Sequence, residues 1–315
     1  MNIRTDFFGK LTYLLVALVL FLPSWGVAET RFVNCDSGRS IGEALKTLSP
    51  GDTLQVSGTC RENVEVNGET GQFDGITLNG QGTATIDGGP ARSGDVLRLV
   101  AVRGVTVTGF RITKGRDAIH VRWSTQVFIL NNTIEQTGRN GVQVTRGAWA
   151  HISGNTIRNN PGNGIQVQES TVRIGGSLDE PPQPLANVIE NNGGRGIFID
   201  RASVARIAGN TIANNNQNGI EVARMSQADI ASNTIEANAQ NGIRVMQNSG
   251  VNLGADTGTG LENSPNSSTV PNGKYGIEVS LGAYADGRLG TLTGLWGAQP
   301  FAVSLVDPGQ YSLIP

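Results

Sequence analysis

Two carboxylates, Asp200 and Glu221, stand among Arg201, Arg224 and Arg244 in a chain of which only 16% is Asp, Glu, Lys or Arg. Paired carboxyl groups are the working parts of glycosidic chemistry: one acts as nucleophile when they are close, or activates a water when they are farther apart. An arginine beside such a pair would neutralise an acidic sugar, and an aromatic ring such as Phe198 would stack on a sugar face. Gln143, Gln166 and Gln168 add amide donors and acceptors. The same residue types are equally what any exposed sheet carries as cross-strand ion pairs. Which description holds depends on the elements that place them.

Those elements repeat. One column reads Asn140-Gly141-Val142-Gln143-Val144, Asn163-Gly164-Ile165-Gln166-Val167, Arg195-Gly196-Ile197-Phe198-Ile199, Asn218-Gly219-Ile220-Glu221-Val222 and Asn241-Gly242-Ile243-Arg244-Val245. A second runs Asn132-Thr133-Ile134, Asn155-Thr156-Ile157, Asn187-Val188-Ile189, Asn210-Thr211-Ile212 and Asn233-Thr234-Ile235. A third is the apolar residue at Ile129, Ile152, Ile174, Ile207 and Ile230. All three keep a period of about 23 residues, apart from one insertion of about nine between Ile165 and Ile197. Apolar and polar positions alternate within each run, so each run is a half-buried strand. Three strands per repeat, broken by Asn, Gly and Ser turns, make a triangular coil that must stack on its neighbours to bury its Ile and Val. The expected architecture is an all-β, right-handed, single-stranded parallel β-helix with three sheets. Asparagines repeated at one turn are expected to form an amide ladder.

These repeats resemble those of the pectate-lyase-like superfamily of right-handed parallel β-helices (the PbH1 type of repeat) over residues 31 to about 283. The resemblance implies that the Gly-Ile-x-Val strand forms the first sheet, whose outer face is the substrate groove in many family enzymes. In that frame the outward column is His120, Gln143, Gln166, Phe198, Glu221, Arg244 and Glu278, with Arg122, Thr145, Gln168, Asp200, Ala223, Met246 and Ser280 two residues on. Asp200 and Glu221 then become diagonal neighbours with Cα atoms about 8 Å apart. Arg146, Glu169, Arg201 and Arg224 lie just beyond. The catalytic motifs of the superfamily are missing: no Asp-Asp, Gly-His-Gly or Arg-x-Lys set, no Asp-Pro-His-Asp and no Arg-x-Pro-x-x-Arg. His120 and His151 fall on different sheets, so they share no metal, and each reads as an ordinary surface residue.

Residues 29–66 differ from the repeats and read as an N-terminal cap of strand, short amphipathic helix and strand. Ile41, Ala44, Leu45 and Leu48 have helical spacing, and Ser40 with Glu43 forms a capping box. Cys35 and Cys60 are expected to form a disulfide within it. Ahead of the cap, residues 1–28 have Arg4 and Lys10, an apolar run Leu11–Leu22 and a small-residue end at Gly26-Val27-Ala28. This is the pattern of a secretory signal peptide; the run, about twelve residues, is short for a bilayer span of about 20. Residues 67–283 hold the repeats, and 284–315 form a closing segment with a strand at Gly287–Leu292. The proline-rich insertion at 175–186 reads as an exposed loop, as does 254–272, where Asp256 and Glu262 are the only residues suggesting Ca2+. No cofactor is expected.

A net charge of −2 without a basic cluster argues against nucleic acid or anionic membrane as the partner. The sequence therefore leads to a monomeric, exported protein, periplasmic or extracellular, that binds an extended polysaccharide or other envelope glycan along its first sheet. A polysaccharide lyase or glycoside hydrolase using Asp200 and Glu221 with Arg224 and Arg244 is the alternative. A structural or adhesive module without a glycan ligand is the third.

Overall fold

The computed structural model describes residues 27–90, 94–176, 185–254 and 265–298, and the backbone of a strand at Tyr311–Ile314. All but Val27 and Ala28 of the expected signal segment, most of the insertion and the proposed calcium residues Asp256 and Glu262 lie outside the described residues. The chain winds into a right-handed parallel β-solenoid of about nine turns with about 23 residues per coil. Its first sheet has nine strands, from Val64–Asn67 through Ile119–Arg122, Val142–Thr145, Ile165–Gln168, Ile197–Asp200 and Ile220–Val222 to Ile277–Val279. Every pairing is parallel and in phase, so that Val142, Ile165, Ile197, Ile220, Ile243 and Ile277 stand directly above one another. The second sheet stacks strands such as Trp149–Ser153 and Val204–Ala208, and the third stacks Thr133–Glu135, Thr156–Arg158 and their successors. In the early coils the long strand Thr77–Asp87 bends from the second sheet into the third.

The interior is one continuous file of Ile, Val and Leu, most of them fully buried. Each such side chain contributes roughly 2–3 kcal/mol when removed from water. The glycine of the Asn-Gly-Ile turn is demanded by stacking: a Cβ on Gly196 would lie 2.7 Å from the carbonyl of Gly219 and 2.5 Å from Ile212.

Buried turn groups are satisfied by the expected ladders. Asn132, Asn155, Asn187, Asn210, Asn233 and Asn266 pass one hydrogen bond to the next through their amides, and each Oδ1 also accepts the backbone N–H of the residue one rung back. A second file, Asn160, Asn192, Asn215, Asn238 and Asn272, does the same between the third and first sheets. The turn after the first sheet uses serines at 170, 203, 226 and 249.

The cap follows the expectation with two differences. Cys35 and Cys60 are joined by a disulfide. The helix spans only Ile41–Leu45, and Ser40 accepts the Glu43 N–H at 3.1 Å. Glu43, however, turns outward to Lys46, and the free N–H groups of Ile41 and Gly42 are taken by Glu62 from the following strand region. At the other end the strand is Tyr284–Arg288 rather than Gly287–Leu292. It continues the second sheet beside Gly250–Leu253 and is itself paired with Tyr311–Ile314. Left-handed backbone at Gly290 marks the turn that follows the strand. Among the described residues no helix is long and apolar enough to cross a membrane.

The ladders predict a sharp contrast between adjacent residues. Asn215→Ala removes a buried amide that serves Asn192 and Asn238, leaving their N–H and C=O partners unsatisfied, and should cost about 2–3 kcal/mol by urea unfolding. Asn216→Ala, at the exposed next position, should change stability by less than about 0.5 kcal/mol.

Candidate functional site: the outer face of the first sheet

The outward column is in the anticipated register, and it extends to Glu65 and Arg98 in the first two coils. Its side chains are less open than the alternation of the strands suggests. His120, Gln143, Thr145, Phe198, Asp200 and Glu221 are buried, whereas His151, Arg173, Arg206 and Asp229 on the second sheet are half-buried or exposed. The difference comes from the turns at either margin of the first sheet, whose long side chains fold over it. Arg116, Arg139 and Arg195 lean in from the turn before the strands; Trp123, Arg146, Glu169, Arg201 and Arg224 stand on the turn after them. Over its middle coils the face is therefore covered in part by arginines from both margins.

The far margin carries large side chains on left-handed backbone. Trp123, Arg146, Glu169, Arg201 and Arg224 all have positive φ, between 49° and 62°. At other turns of the solenoid the same conformation is taken by Asn131, Asn159, Asn191 and Asn214, which tolerate it well. Large side chains here carry a conformational cost of about 1–3 kcal/mol each that asparagine would largely avoid.

The expected charged cluster is present, but its members are locked in separate pairs. Asp200 is 0% exposed and accepts from Arg224 at 2.7 and 3.0 Å and from Gln168 at 3.2 Å, with Arg201 Nε at 3.7 Å. Glu221 is 3% exposed; Arg195 and the Asn218 amide donate to it at 2.9 and 2.6 Å. Arg244 is the register neighbour of Glu221 but pairs with Glu278 at 3.5 Å. Phe198 lies under the guanidinium of Arg195, which sits 4.3 Å from the ring centre, so its face is covered rather than open to a sugar. Gln143 accepts from Arg139, and Gln166 from the Asn140 amide at 3.0 Å.

His120 departs most from expectation: it is no surface residue. It is 7% exposed, its Nδ1 lies 2.8 Å from Asp95, and its Nε2 lies 3.1 Å from the hydroxyl of Thr145 on the next rung. Asp95 also accepts from Arg116, at 3.0 and 3.1 Å. One coil later Asp117 accepts from Arg139 and from the Asn140 N–H. Burial works to raise the Asp95 pKa, but His120 and then Arg116 outweigh it and lower it from 3.8 to about 2. Asp95, Asp117 and His120 could together reach a cation. Their oxygens are already taken by guanidinium, imidazole and amide donors, which makes this an ion-pair network rather than a metal cage. The signal for it was in the sequence: Asp95 and Asp117 occupy the turn position held by Asn140, Asn163, Asn218 and Asn241 elsewhere.

Arg122 and Arg146 are different. Both guanidinium groups pack on the Trp123 ring, 4.6 and 4.8 Å from its centre. Among the described residues neither forms a salt bridge, and Trp123 is 50% exposed. Burial and the repulsion of Arg146 and Arg98 lower the Arg122 pKa from its ordinary value. This arginine pair on a half-exposed aromatic ring was not singled out from the sequence, where Trp123 falls in a turn.

A family model described as a right-handed beta helix region matches residues 52–179 and 182–285. A comparison with curated protein sequences finds no match. Among solved structures, the alginate lyase from Paenibacillus sp. str. FPU-7 superposes with a TM-score of 0.56 at 16% identity, covering 90% of this chain and 99% of its own. Pectate lyase Pel9A gives 0.54 at 13% identity over 83% and 79% of the two chains. The AlgE4 A-module, a mannuronan C-5 epimerase of Azotobacter vinelandii, gives 0.52 at 15% over 90% and 100%. At these identities the likeness is one of fold.

The Asp95 network should be visible in acid. Because its folded-state pKa lies below the ordinary value, its contribution to stability is complete above about pH 4 and lost as the pH falls through about 2. Thermal melts between pH 5 and pH 2 should show a smaller fall in Tm for Asp95→Asn than for the unaltered protein.

Proposed function

The chain belongs to the right-handed β-helix family, and we propose that it is an exported protein that binds an extended acidic polysaccharide along its first sheet. The observation that carries this reading is the outer face of the first sheet, nine rungs or about 40 Å long and bordered by arginines over its middle coils, with half-exposed Trp123 between two guanidinium groups that form no salt bridge among the described residues. A polymer of acidic sugars offers carboxylates for Arg122 and Arg146 and apolar C–H edges for the exposed part of the indole, while Gln166, Gln168 and Arg201 lie farther along its path. The neighbours in fold are named for action on alginate, pectate and mannuronan, which agrees with an acidic glycan as ligand. Binding is favoured over hydrolysis or elimination by Asp200 and Glu221, because each carboxylate is already held by an arginine.

The test is affinity electrophoresis and calorimetry against alginate, polygalacturonate and neutral dextran. Retention is expected with the two acidic polymers alone, weakening as salt is raised. Trp123→Ala and the double change Arg122→Ala with Arg146→Ala should each weaken it by at least about tenfold. Equal retention by dextran, or acidic-polymer binding that survives both variants, rejects the reading.

A further inference from the structure

The network around His120 has an order that structural ion pairing does not require. Asp95 Oδ2 faces His120 Nδ1 at 2.8 Å, and His120 Nε2 faces Thr145 Oγ1 at 3.1 Å. A carboxylate, an imidazole and a hydroxyl thus stand in line across three successive coils, since Asp95 precedes the Leu97–Val100 strand, His120 lies on Ile119–Arg122 and Thr145 on Val142–Thr145. A carboxylate at Nδ1 favours the tautomer that carries its proton there. In that tautomer the Nε2 lone pair faces Thr145, and the threonine hydroxyl donates to it. This is the arrangement that activates a hydroxyl as a nucleophile.

Two neighbours fit the same chemistry. Thr145 is the register partner of Arg122, whose guanidinium carries no carboxylate among the described residues. From that rung Arg122 is the cation assigned to a developing oxyanion. Thr145 is followed directly by exposed Arg146 and keeps 7% of its own surface open on this face. By contrast, among the described residues the carboxylates of Asp200 and Glu221 bond to no imidazole and no hydroxyl.

We propose that Asp95, His120 and Thr145 form a hydrolytic triad that cleaves small acyl esters, such as acetyl groups carried on the hydroxyls of the bound glycan. Thr145 Oγ1 attacks the ester carbonyl as its proton passes to His120 Nε2, and Arg122 stabilises the oxyanion. The carbon–oxygen bond to the sugar breaks, the sugar oxygen takes the proton from Nε2, and an acyl-threonine is left. A water, deprotonated by His120, attacks that ester; the free acid departs and Thr145 regains its proton. The sum is ester plus water to acid plus alcohol. Thr145 and His120 are catalytic residues in this scheme, and Asp95 is a positioning residue that sets the tautomer. The glycan as carrier rests on the binding reading above, whereas the triad is testable without it.

The experiment measures release of nitrophenol from p-nitrophenyl acetate and of acetate from acetylated alginate, with mass spectrometry of the peptide holding Thr145. Turnover, with a trapped acetyl group on Thr145 in a rapid quench, is expected for the unaltered protein. Thr145→Val, which keeps the shape of the side chain, should lose about 100-fold or more, and Thr145→Ser should retain activity. Asp95→Asn, which favours the wrong tautomer, should lower kcat on the order of 1000-fold with KM little changed and a shifted pH profile. Turnover by the unaltered protein no faster than by Thr145→Val overturns the triad. The unaltered protein separates the two proposals: Thr145-dependent aryl-ester turnover without retention by the acidic polymers supports the triad and rejects the binding reading alone, and polymer binding without any ester turnover overturns the triad alone.

Discussion

Every coil depends on hydrogen bonds made one rung up and one rung down. The core is a single file of aliphatic side chains, so the turns around it are closed to water yet carry backbone N–H and C=O groups that need partners. A buried asparagine answers this because its amide both donates and accepts at the strand spacing of about 4.8 Å. Asn210 shows the full set: its Nδ2 reaches Asn233 and the carbonyl of Ile174, while its Oδ1 takes both nitrogens of Asn187. The ladder also explains why the insertion is tolerated. Asn155 bonds to Asn187 across 32 residues of sequence just as its neighbours bond across 23, so the additional residues leave the stack and return without breaking it.

The same in-phase stacking decides the electrostatics of the first sheet. Equivalent positions lie one rung apart, so a charge at one is close to the charge above and below. Most arginines on this face reach a carboxylate on an adjacent coil: Arg116 to Asp95, Arg139 to Asp117, Arg195 to Glu221, Arg224 to Asp200 and Arg244 to Glu278. That pairing withdraws Asp200 and Glu221 from solvent chemistry. It leaves Arg122 and Arg146 on Trp123, with His120 and Thr145 directly beside them. Arginines without a salt bridge among the described residues, a half-exposed ring and a histidine-bonded hydroxyl thus gather on the third and fourth rungs, away from the carboxylate cluster that the residue types first recommend.

The fold was legible because a period is a global property that each coil states again. Apolar alternation marks the strands, Asn and Gly mark the turns, and the three columns stay in phase through an insertion. Register followed directly, since it is arithmetic on the period, and it placed His120 and His151 on separate sheets and Phe198, Glu221 and Arg244 in one column. The disulfide was legible from cysteines in a segment where no other partner existed.

What register does not specify is how long side chains on the turns lie over the strands. A column of alternating outward residues reads as exposed, yet Asp200 has no accessible surface because Arg224 and Gln168 close over it. Phe198 is likewise covered by Arg195, and Glu221 chose Arg195 over its register neighbour Arg244. The partnership of Asp95, His120 and Thr145 joins three coils, two of them outside the most regular repeats, and it turns on rotamers that no spacing encodes. By itself the sequence determined the coil, its core and the face on which each residue sits, because those follow from local alternation and a fixed period. Only the tertiary structure decided which side chains on that face are paired, covered or open, because that is settled by competition among many groups for a few partners one rung away.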